Sequence, residues 1–284
     1  MNTLTKKIDF GVIINVTNAN PNGDPLNGNR PRITYDGYGE ISDVCIKRKI
    51  RNRLLDMGRE IFVQSDDYRV DDYPSLRKRV EGELKEYMKD KEKFRVEACK
   101  KWIDVRAFGQ VFAYDGAKKG QGVSIGIRGP VSIQSAFSVY PINVTSIQIT
   151  KSVSGEGDGT KKASDTMGMK HRVDHGLYVF YGSMNPQLAT QTGFTDQDAE
   201  DIKKALVHLL DNDASSARPE GSMEVVQIVW WEHPNVTGKY SSAKVHRSLK
   251  VSVKDDVIEP KTLNDYNIQI ADLEGLKTEV IQGR

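Results

Sequence analysis

The sequence predicts an α+β fold whose core has the ferredoxin-like element order βαββαβ. Two observations predict the first half of this core. The segment Lys7–Val16 is dense in β-branched residues and predicts a strand. Behind the capping residue Ser42, the apolar residues Ile46, Ile50 and Leu54 repeat at four-residue spacing, which predicts a helix with one buried face.

The second half of the core is predicted from three further segments. Val123–Thr150 is an extended run interrupted by prolines, and Val173–Tyr181 predicts another strand. The sequence Thr195-Asp-Gln-Asp is a helix-capping signature, and apolar spacing continues that helix to Leu210. Met223–Trp231 predicts the last core strand. RNA-recognition motifs share the resulting order, so the fold class is both ferredoxin-like and RRM-like.

Three segments are predicted to lie outside the core. Residues 65–100 are charged and predict helical pieces of an insertion. Lys101–Tyr114 carries apolar residues at helical spacing and predicts an amphipathic helix. Lys151–Met169 is too polar to be core and predicts an excursion from it.

Composition excludes several classes of protein. With 38% hydrophobic and 28% charged residues, the chain is predicted to fold around a core rather than to be disordered. No apolar run approaches the ~18 residues of a membrane span, and the N-terminal residues lack the apolar core of a signal peptide. Cys45 and Cys99 form no CxxC pair, which argues against a disulfide framework or a cysteine-based zinc site. We therefore expect a cytoplasmic protein without a membrane partner.

The net charge of +2 does not identify a partner, but the distribution of charge is uneven. From Lys47 to Arg59, six basic residues accompany one acid, Asp56. From Asp196 to Asp213, six acids accompany two lysines. One interpretation is a molecule with a basic side and an acidic side, which suits a polyanion ligand or head-to-tail assembly. The other is two ordinary solvated helix faces.

The first predicted helix is a candidate phosphate-binding element. Lys47, Arg48 and Arg51 share one of its faces, and Ser42 lies at the positive end of its dipole. We find no compensating acid at four-residue spacing along this face. The pattern favours contact with a phosphate chain over a merely solvated face.

The loop Asn18–Arg32 has the Asn, Pro and Gly content of consecutive turns. The amides of Asn20 and Asn22 are candidates for contacts with bases or riboses. Asp24 is the one carboxylate in the loop and could act as a general base in RNA cleavage only with a positioned partner, which the sequence does not show. A turn-forming role for Asp24 is therefore the favoured interpretation.

The polar excursion ends in a second candidate nucleic-acid element. Its apolar side chains, Met167 and Met169, are able to insert between bases, as wedges do in architectural proteins. Lys170, His171 and Arg172 add positive charge, so the segment is a candidate clamp on a single strand. A flexible loop with incidental charge remains the alternative.

No motif predicts catalysis, a metal or a cofactor. The five histidines lie in no HExxH or paired-carboxylate pattern, and the glycines from Gly120 lack the Lys-Ser/Thr of a phosphate-binding P-loop. His208 lies within a predicted amphipathic helix and is predicted to be structural. The stretch Gly176–Tyr181 is a partial match to the aromatic sheet motif of RNA-recognition domains, and a buried strand explains it equally well.

Five ordered blocks, spread from about residue 8 to residue 232, resemble one family. They are Asn18-Ala-Asn-Pro-Asn-Gly-Asp-Pro, Lys47-Arg-Lys-Ile-Arg51, Asp104-Val-Arg-Ala-Phe-Gly109, Arg128-Gly-Pro-Val131, and Met167-Gly-Met-Lys-His171 with Tyr178. The chain resembles the CRISPR-associated backbone subunit of Cascade surveillance complexes, the "seven" family, in its type I-C branch. Met169 departs from the pattern, because the family would place Arg there.

The resemblance implies a shape like a right hand. A ferredoxin-like palm would comprise residues 1–64, 122–142 and 173–284, with helical fingers at 65–121 and a thumb hairpin at 143–172. Copies would stack head to tail along CRISPR RNA, each thumb flipping out a base while the other guide bases pair with target DNA. Further expected partners are the other Cascade subunits: a repeat-handle-binding subunit and the large and small subunits. Arg106 is expected to face the RNA groove, or else to pair with Asp104 or Asp115.

Three functions remain open at this point. The first is the non-catalytic guide-RNA backbone. The second is an RNA-guided endoribonuclease that uses Asp24, as related type III subunits use a loop aspartate. The third is a free-standing single-stranded RNA-binding protein that does not polymerise.

Overall fold

The computed structural model describes residues 3–114, 123–151 and 167–284. In chain order its elements are β1 (Ile8–Ala19), β2 (Gly23–Asp24), β3 (Arg30–Pro31), β4 (Tyr38–Ile41), α1 (Asp43–Asp56), α2 (Leu76–Glu83), α3 (Lys91–Lys101), α4 (Ile103–Phe108), β5 (Gly109–Tyr114), β6 (Val123–Arg128), β7 (Val131–Ile133), β8 (Ala136–Pro141), β9 (Val144–Thr150), β10 (Met167–Met184), α5 (Pro186–Thr192), α6 (Asp196–Val207), β11 (Met223–Glu232), α7 (Ser242–His246), β12 (Leu249–Val253), β13 (Tyr266–Ile270) and β14 (Lys277–Gln282).

One large antiparallel sheet organises the chain. Its strands follow the order β14-β11-β1-β10-β8-β4, and β7 and β9 pair with other parts of the long strand β10. The central strand β1 is buried without interruption from Ile8 to Ile14, because both faces of the sheet are covered here. The coarse fold class is confirmed: the chain contains both helices and strands and has a large antiparallel sheet.

The two faces of the sheet have different covers. On one face, α1 and α6 lie side by side and contribute apolar stripes to the main core. The predicted stripe of Ile46, Ile50 and Leu54 is confirmed, since all three are fully buried. On the opposite face, the C-terminal segment from α7 to β13 packs Val245 and Tyr266 against sheet residues such as Trp231. No sheet face is therefore left open at its centre.

A smaller second core joins α2, α3 and α4 to the β5–β6 hairpin. The ring of Phe62 lies 4.7 Å from that of Trp102 and 5.0 Å from that of Phe112, which also meets Phe94 edge-on. This cluster extends from Phe62 to Ile127, slightly beyond the predicted 65–121 insertion at both ends. The predicted division into palm, fingers and thumb stays a prediction.

Two predicted elements have different bounds in the structure. The helix predicted over Lys101–Tyr114 is wrong in its second half, because α4 ends at Phe108 and β5 begins at Gly109. Gly109 has φ of 78°, a left-handed value that ends the helix, and a Cβ there would lie 2.3 Å from the Ile127 carbonyl oxygen.

The polar excursion ends earlier than predicted, since Met167 already belongs to β10; residues 152–166 lie outside the described ranges. Within the described ranges, no helix combines the length and apolarity needed to cross a membrane.

Candidate nucleic-acid interface

The loop that follows β1 is fixed against the N-terminus of α1. Ser42 caps the helix by accepting from the Cys45 N–H, and both its backbone N–H and its hydroxyl donate to Asn22 Oδ1, at 2.9 and 2.8 Å. Asn20 is 3% exposed and donates its amide to the Asn29 carbonyl at 2.7 Å. The structure therefore brings these three predicted binding residues together, but their polar atoms hold the loop on the helix.

Every basic residue counted between Lys47 and Arg59 has an acidic partner. The six pairs are Lys47–Asp43, Arg48–Asp67, Lys49–Asp213, Arg51–Asp104, Arg53–Asp56 and Arg59–Asp201. Two expectations are therefore wrong. Asp43 compensates Lys47 one helical turn earlier. Two of the six pairs, Lys49–Asp213 and Arg59–Asp201, join the basic segment to the acidic one, so the two segments do not form separate sides. The physical reason is that α1 and α6 are neighbours on the same sheet face.

Burial separates these pairs into two groups. Arg51 and Asp104 are 14% and 1% exposed, and Lys49 is 6% exposed, so that burial lowers the pKa of the Lys49 ammonium. In contrast, Arg48 and Asp67 are 55% and 66% exposed, and Lys47 is 24% exposed beside a half-exposed Asp43. We call Lys47 and Arg48 the outward cations of α1. They are the α1 cations of the predicted set that a phosphate chain can reach.

Helix α4 fastens the second core to the helical face of the sheet. Its Asp104 carboxylate accepts from Arg51 Nε at 2.9 Å and from the backbone N–H groups of Phe62 and Val63, at 2.7 and 3.1 Å. Two residues later, Arg106 donates to both carboxylate oxygens of Asp198 on α6, at 3.0 and 2.6 Å. Buried or half-buried ion pairs thus link α4 to both α1 and α6.

The contacts of Arg106 differ from both sequence-based expectations. It pairs with Asp198 rather than with Asp104, and Asp115 lies outside the described residues. Its guanidinium also donates to the Cys99 carbonyl at 3.2 Å. An RNA contact by Arg106 or Arg51 stays a prediction, and the ion pairs of both residues weigh against it.

The second candidate element is an antiparallel arm formed by β9 and residues 167–173 of β10, which we call the β9–β10 arm. Its register alternates the predicted residues between two faces. Met167, Met169 and His171 lie opposite Thr150, Gln148 and Ser146, and His171 Nδ1 is 2.8 Å from Ser146 Oγ. Both methionines are more than half exposed, and Ile147 and Ile149 of β9 are exposed as well, so the arm presents several apolar side chains to solvent.

The opposite face of the β9–β10 arm carries the other two basic residues. Lys170 lies across from Ile147, and Arg172 lies across from Thr145. Arg172 Nε is 3.4 Å from an oxygen of Asp174, whereas Lys170 has no ion pair among the described residues. The predicted clamp is thus divided into a face with two methionines and a histidine, and a face with a lysine and an arginine.

The stretch Gly176–Tyr181 is a buried strand, and its interpretation as an exposed aromatic platform is wrong. Tyr178 is fully buried on the helical side, and burial raises the pKa of its hydroxyl. On the other side, the ring of Tyr181 stacks on His246 at 4.8 Å and its hydroxyl donates to the Leu249 carbonyl. The C-terminal segment therefore covers the sheet surface that an RNA-recognition motif would leave open.

Asp24 has a local structural role. It caps the short 3-10 turn of residues 25–27 by accepting from the Leu26 N–H at 3.2 Å, and Arg32 lies 3.5 Å away. In the described part of the chain, no group of three or more His, Cys, Asp or Glu residues is arranged to hold a metal ion. His208, predicted to be structural, lies 2.9 Å from Asp211 at the end of α6.

Sequence reasoning missed a buried polar cluster at the start of β1. Asp9 is fully buried, and His233 Nε2 lies 2.8 Å from its carboxylate. The backbone N–H of Lys239 donates to His233 Nδ1, so Nε2 carries the proton that is donated to Asp9. Burial opposes ionisation of Asp9, but the hydrogen bond from His233 and the His246 ring, whose Nε2 lies 3.5 Å from Oδ1, outweigh it and hold the pKa of Asp9 below the usual value.

Comparisons with known proteins agree on one family. The family model described as CRISPR-associated protein Cas7 matches residues 6–271. A CRISPR-associated protein Cas7 from Haloferax volcanii is 26% identical over 296 residues, which covers 96% of this chain and 85% of the relative.

Two solved structures also align with the chain. A chain of a CRISPR RNA-guided surveillance complex, pre-nicking, aligns with a TM-score of 0.47 and 14% identity, over 79% of this chain and 78% of its own length. A chain of a CRISPR RNA-guided surveillance complex aligns with a TM-score of 0.40 and 18% identity, over 79% and 68%. Because the family model matches nearly the whole sequence, this chain belongs to the CRISPR-associated protein Cas7 family.

Proposed function

We propose that this chain is the backbone subunit of a CRISPR RNA-guided surveillance complex of type I-C, acting in antiviral defence. The observation that carries the proposal is the family match over residues 6–271. In this role, copies bind the phosphate backbone of CRISPR RNA independently of its sequence and stack head to tail along it. The guide bases then pair with target DNA, and the other Cascade subunits complete the particle in the cytoplasm.

The topology supports a ferredoxin-like palm. In the order β11-β1-β10-β8, the first strand of the predicted core, β1, lies between the last strand, β11, and the third strand, β10. Helices α1 and α6 cover one face of these strands. This is the arrangement expected for a βαββαβ unit with a split βαβ crossover. We assign the second core to the fingers and the β9–β10 arm to the thumb.

The distribution of charge supports backbone binding rather than base reading. The outward cations and Lys170 supply point charges and guanidinium donors for phosphates, which carry no sequence information. Met167 and Met169 are exposed apolar side chains on a paired strand, a suitable geometry for wedges between bases. We propose that Asn20, Asn22 and Ser42 act indirectly, by fixing the loop beside these cations.

A non-catalytic role is favoured over RNA cleavage. Asp24 is engaged in capping a turn and has an arginine, rather than a base or a metal ligand, beside it. A general base needs a positioned partner to activate the attacking group.

The test is a binding titration by fluorescence anisotropy with two single-stranded RNAs of equal length and unrelated sequence. The proposal expects affinities within about threefold of each other and a strong salt dependence. Binding restricted to one sequence, or the appearance of cleaved RNA that disappears in Asp24→Ala, would contradict it.

A further inference from the structure

The outward cation Arg48 is held by a carboxylate from a different part of the chain. Its Nη2 lies 2.9 and 3.1 Å from the two oxygens of Asp67. Asp67 belongs to a fixed turn: the Tyr68 N–H donates to the Ser65 carbonyl, and the Tyr68 hydroxyl donates to the Asn212 carbonyl at 2.9 Å. This turn places Asp67 beside Arg48.

The pair lies at a polar cavity of about 250 Å³ between α1, the 18–32 loop and residues 212–218. Two other cations line the cavity, Lys49 and Arg218, and both are bound by Asp213. The Lys49–Asp213 pair is largely buried, whereas Arg48 and Asp67 are both more than half exposed. Within this cavity, Arg48 is therefore the cation whose partner is easiest to exchange.

The energetics favour exchange of Asp67 for a phosphate. An exposed ion pair contributes little to stability, whereas a phosphodiester in the same place releases condensed counterions and is able to accept two guanidinium hydrogen bonds. Asp67 occupies Nη2 of Arg48, one of the donors that a bidentate phosphate would use.

We propose that Asp67 is a built-in competitor of RNA: it occupies Arg48 in the free chain, and a backbone phosphate displaces it on binding. This inference rests on the proposed RNA-binding function. It assigns Asp67 the role of setting the affinity of one subunit, so that a single copy binds nucleic acid weakly and stable binding requires several contacts along one strand.

The test is Asp67→Asn, which keeps the shape of the side chain and removes its charge. We expect single-stranded RNA to bind about two- to fivefold more tightly, the change that corresponds to losing an exposed pair of about 0.4–1 kcal/mol. The matched control is Asp56→Asn, which removes the same charge from the pair with Arg53 at the other end of α1. This control is expected to change affinity by less than about 1.5-fold, the effect of net charge alone.

A second variant isolates the pair itself. If Asp67 acts through Arg48, then Asp67→Asn changes affinity by no more than the Asp56→Asn control, less than about 1.5-fold, when Arg48 is already alanine. An affinity gain equal to that of Asp56→Asn, or a gain that persists with Arg48→Ala, would overturn the inference. If the unmodified chain binds no RNA in any of these titrations, the proposed function fails instead. A circular-dichroism spectrum identical to that of the parent chain shows that each variant tested is folded.

Discussion

Replacing both outward cations, Lys47→Ala with Arg48→Ala, should weaken RNA binding and leave the fold intact. Each of the two side chains is partnered by an exposed or half-exposed acid, so the loss of both pairs costs little stability. Arg51→Ala is the contrasting variant, because it removes a cation of the same helix whose partner, Asp104, is 1% exposed. The two variants should therefore separate binding from folding.

The magnitudes follow from burial and from the number of phosphate contacts. Each contact with single-stranded nucleic acid contributes about 0.7 to the slope of log K against log salt, so losing two contacts lowers the slope by about 1.4. The double variant should lower the free energy of unfolding by less than about 1 kcal/mol.

For Arg51→Ala, breaking a buried pair costs about 3–5 kcal/mol. The lower end applies, since Asp104 keeps its hydrogen bonds from the Phe62 and Val63 N–H groups. For a chain of 284 residues, about 3 kcal/mol corresponds to a Tm lower by about 5 °C.

Two assays on the same samples distinguish the variants. Thermal unfolding followed by circular dichroism measures stability, and anisotropy titrations with a labelled RNA at four salt concentrations measure the slope. The reasoning is refuted if Arg51→Ala reduces the slope by about 0.7 without loss of stability, since Arg51 would then be a phosphate ligand. It is also refuted if the double variant leaves the slope unchanged.

Two further predictions concern the buried carboxylate and the exposed methionines. Asp9→Asn should lower the free energy of unfolding by about 1.5–3 kcal/mol at pH 7, because the buried hydrogen bond from His233 to a charged carboxylate is lost. The pKa of Asp9 is lower in the folded chain than in the unfolded one, so the carboxylate stabilises the fold above the unfolded value of about 3.9 and loses this effect as pH falls through the folded value. Urea unfolding at pH 7 and below pH 4 should therefore show that the difference in stability between variant and parent becomes smaller at low pH. A difference in stability that is independent of pH would contradict this assignment. Met167→Ala with Met169→Ala should change stability by less than about 0.5 kcal/mol and weaken RNA binding roughly fivefold or more; unchanged RNA affinity would remove the methionines from the interface.

The parts of the fold that depend on local pattern were predictable from the sequence. The spacing of Ile46, Ile50 and Leu54 located the buried face of α1, and the capping signature at Thr195 located the start of α6. The segment from Met167 to Arg172 was assigned to an excursion rather than to a strand. Side chains alternate between the two faces of a strand, so a strand assignment would have placed Met167, Met169 and His171 on one face and Lys170 and Arg172 on the other.

The partners of the α1 cations could not be predicted in this way. Arg51 and Asp104 are 53 positions apart, and Lys49 and Asp213 are 164 apart. Counting charges along the sequence therefore predicted a free basic face, whereas distant carboxylates pair with Lys49 and Arg51 and acids of α1 itself pair with Lys47 and Arg53. The helical pattern after Lys101 misled for a different reason, because the positive φ of Gly109 overrides apolar spacing.

The central claim is that copies of this chain stack along RNA, and native mass tests it most directly. The chain would be expressed with CRISPR RNAs of two lengths, and the particles measured by light scattering with absorbance at two wavelengths. The account predicts an RNA-containing particle whose mass increases with RNA length by whole multiples of the 31.8 kDa subunit plus the added RNA. A particle of the same mass for both RNAs, or a 31.8 kDa monomer free of nucleic acid in both samples, would contradict it.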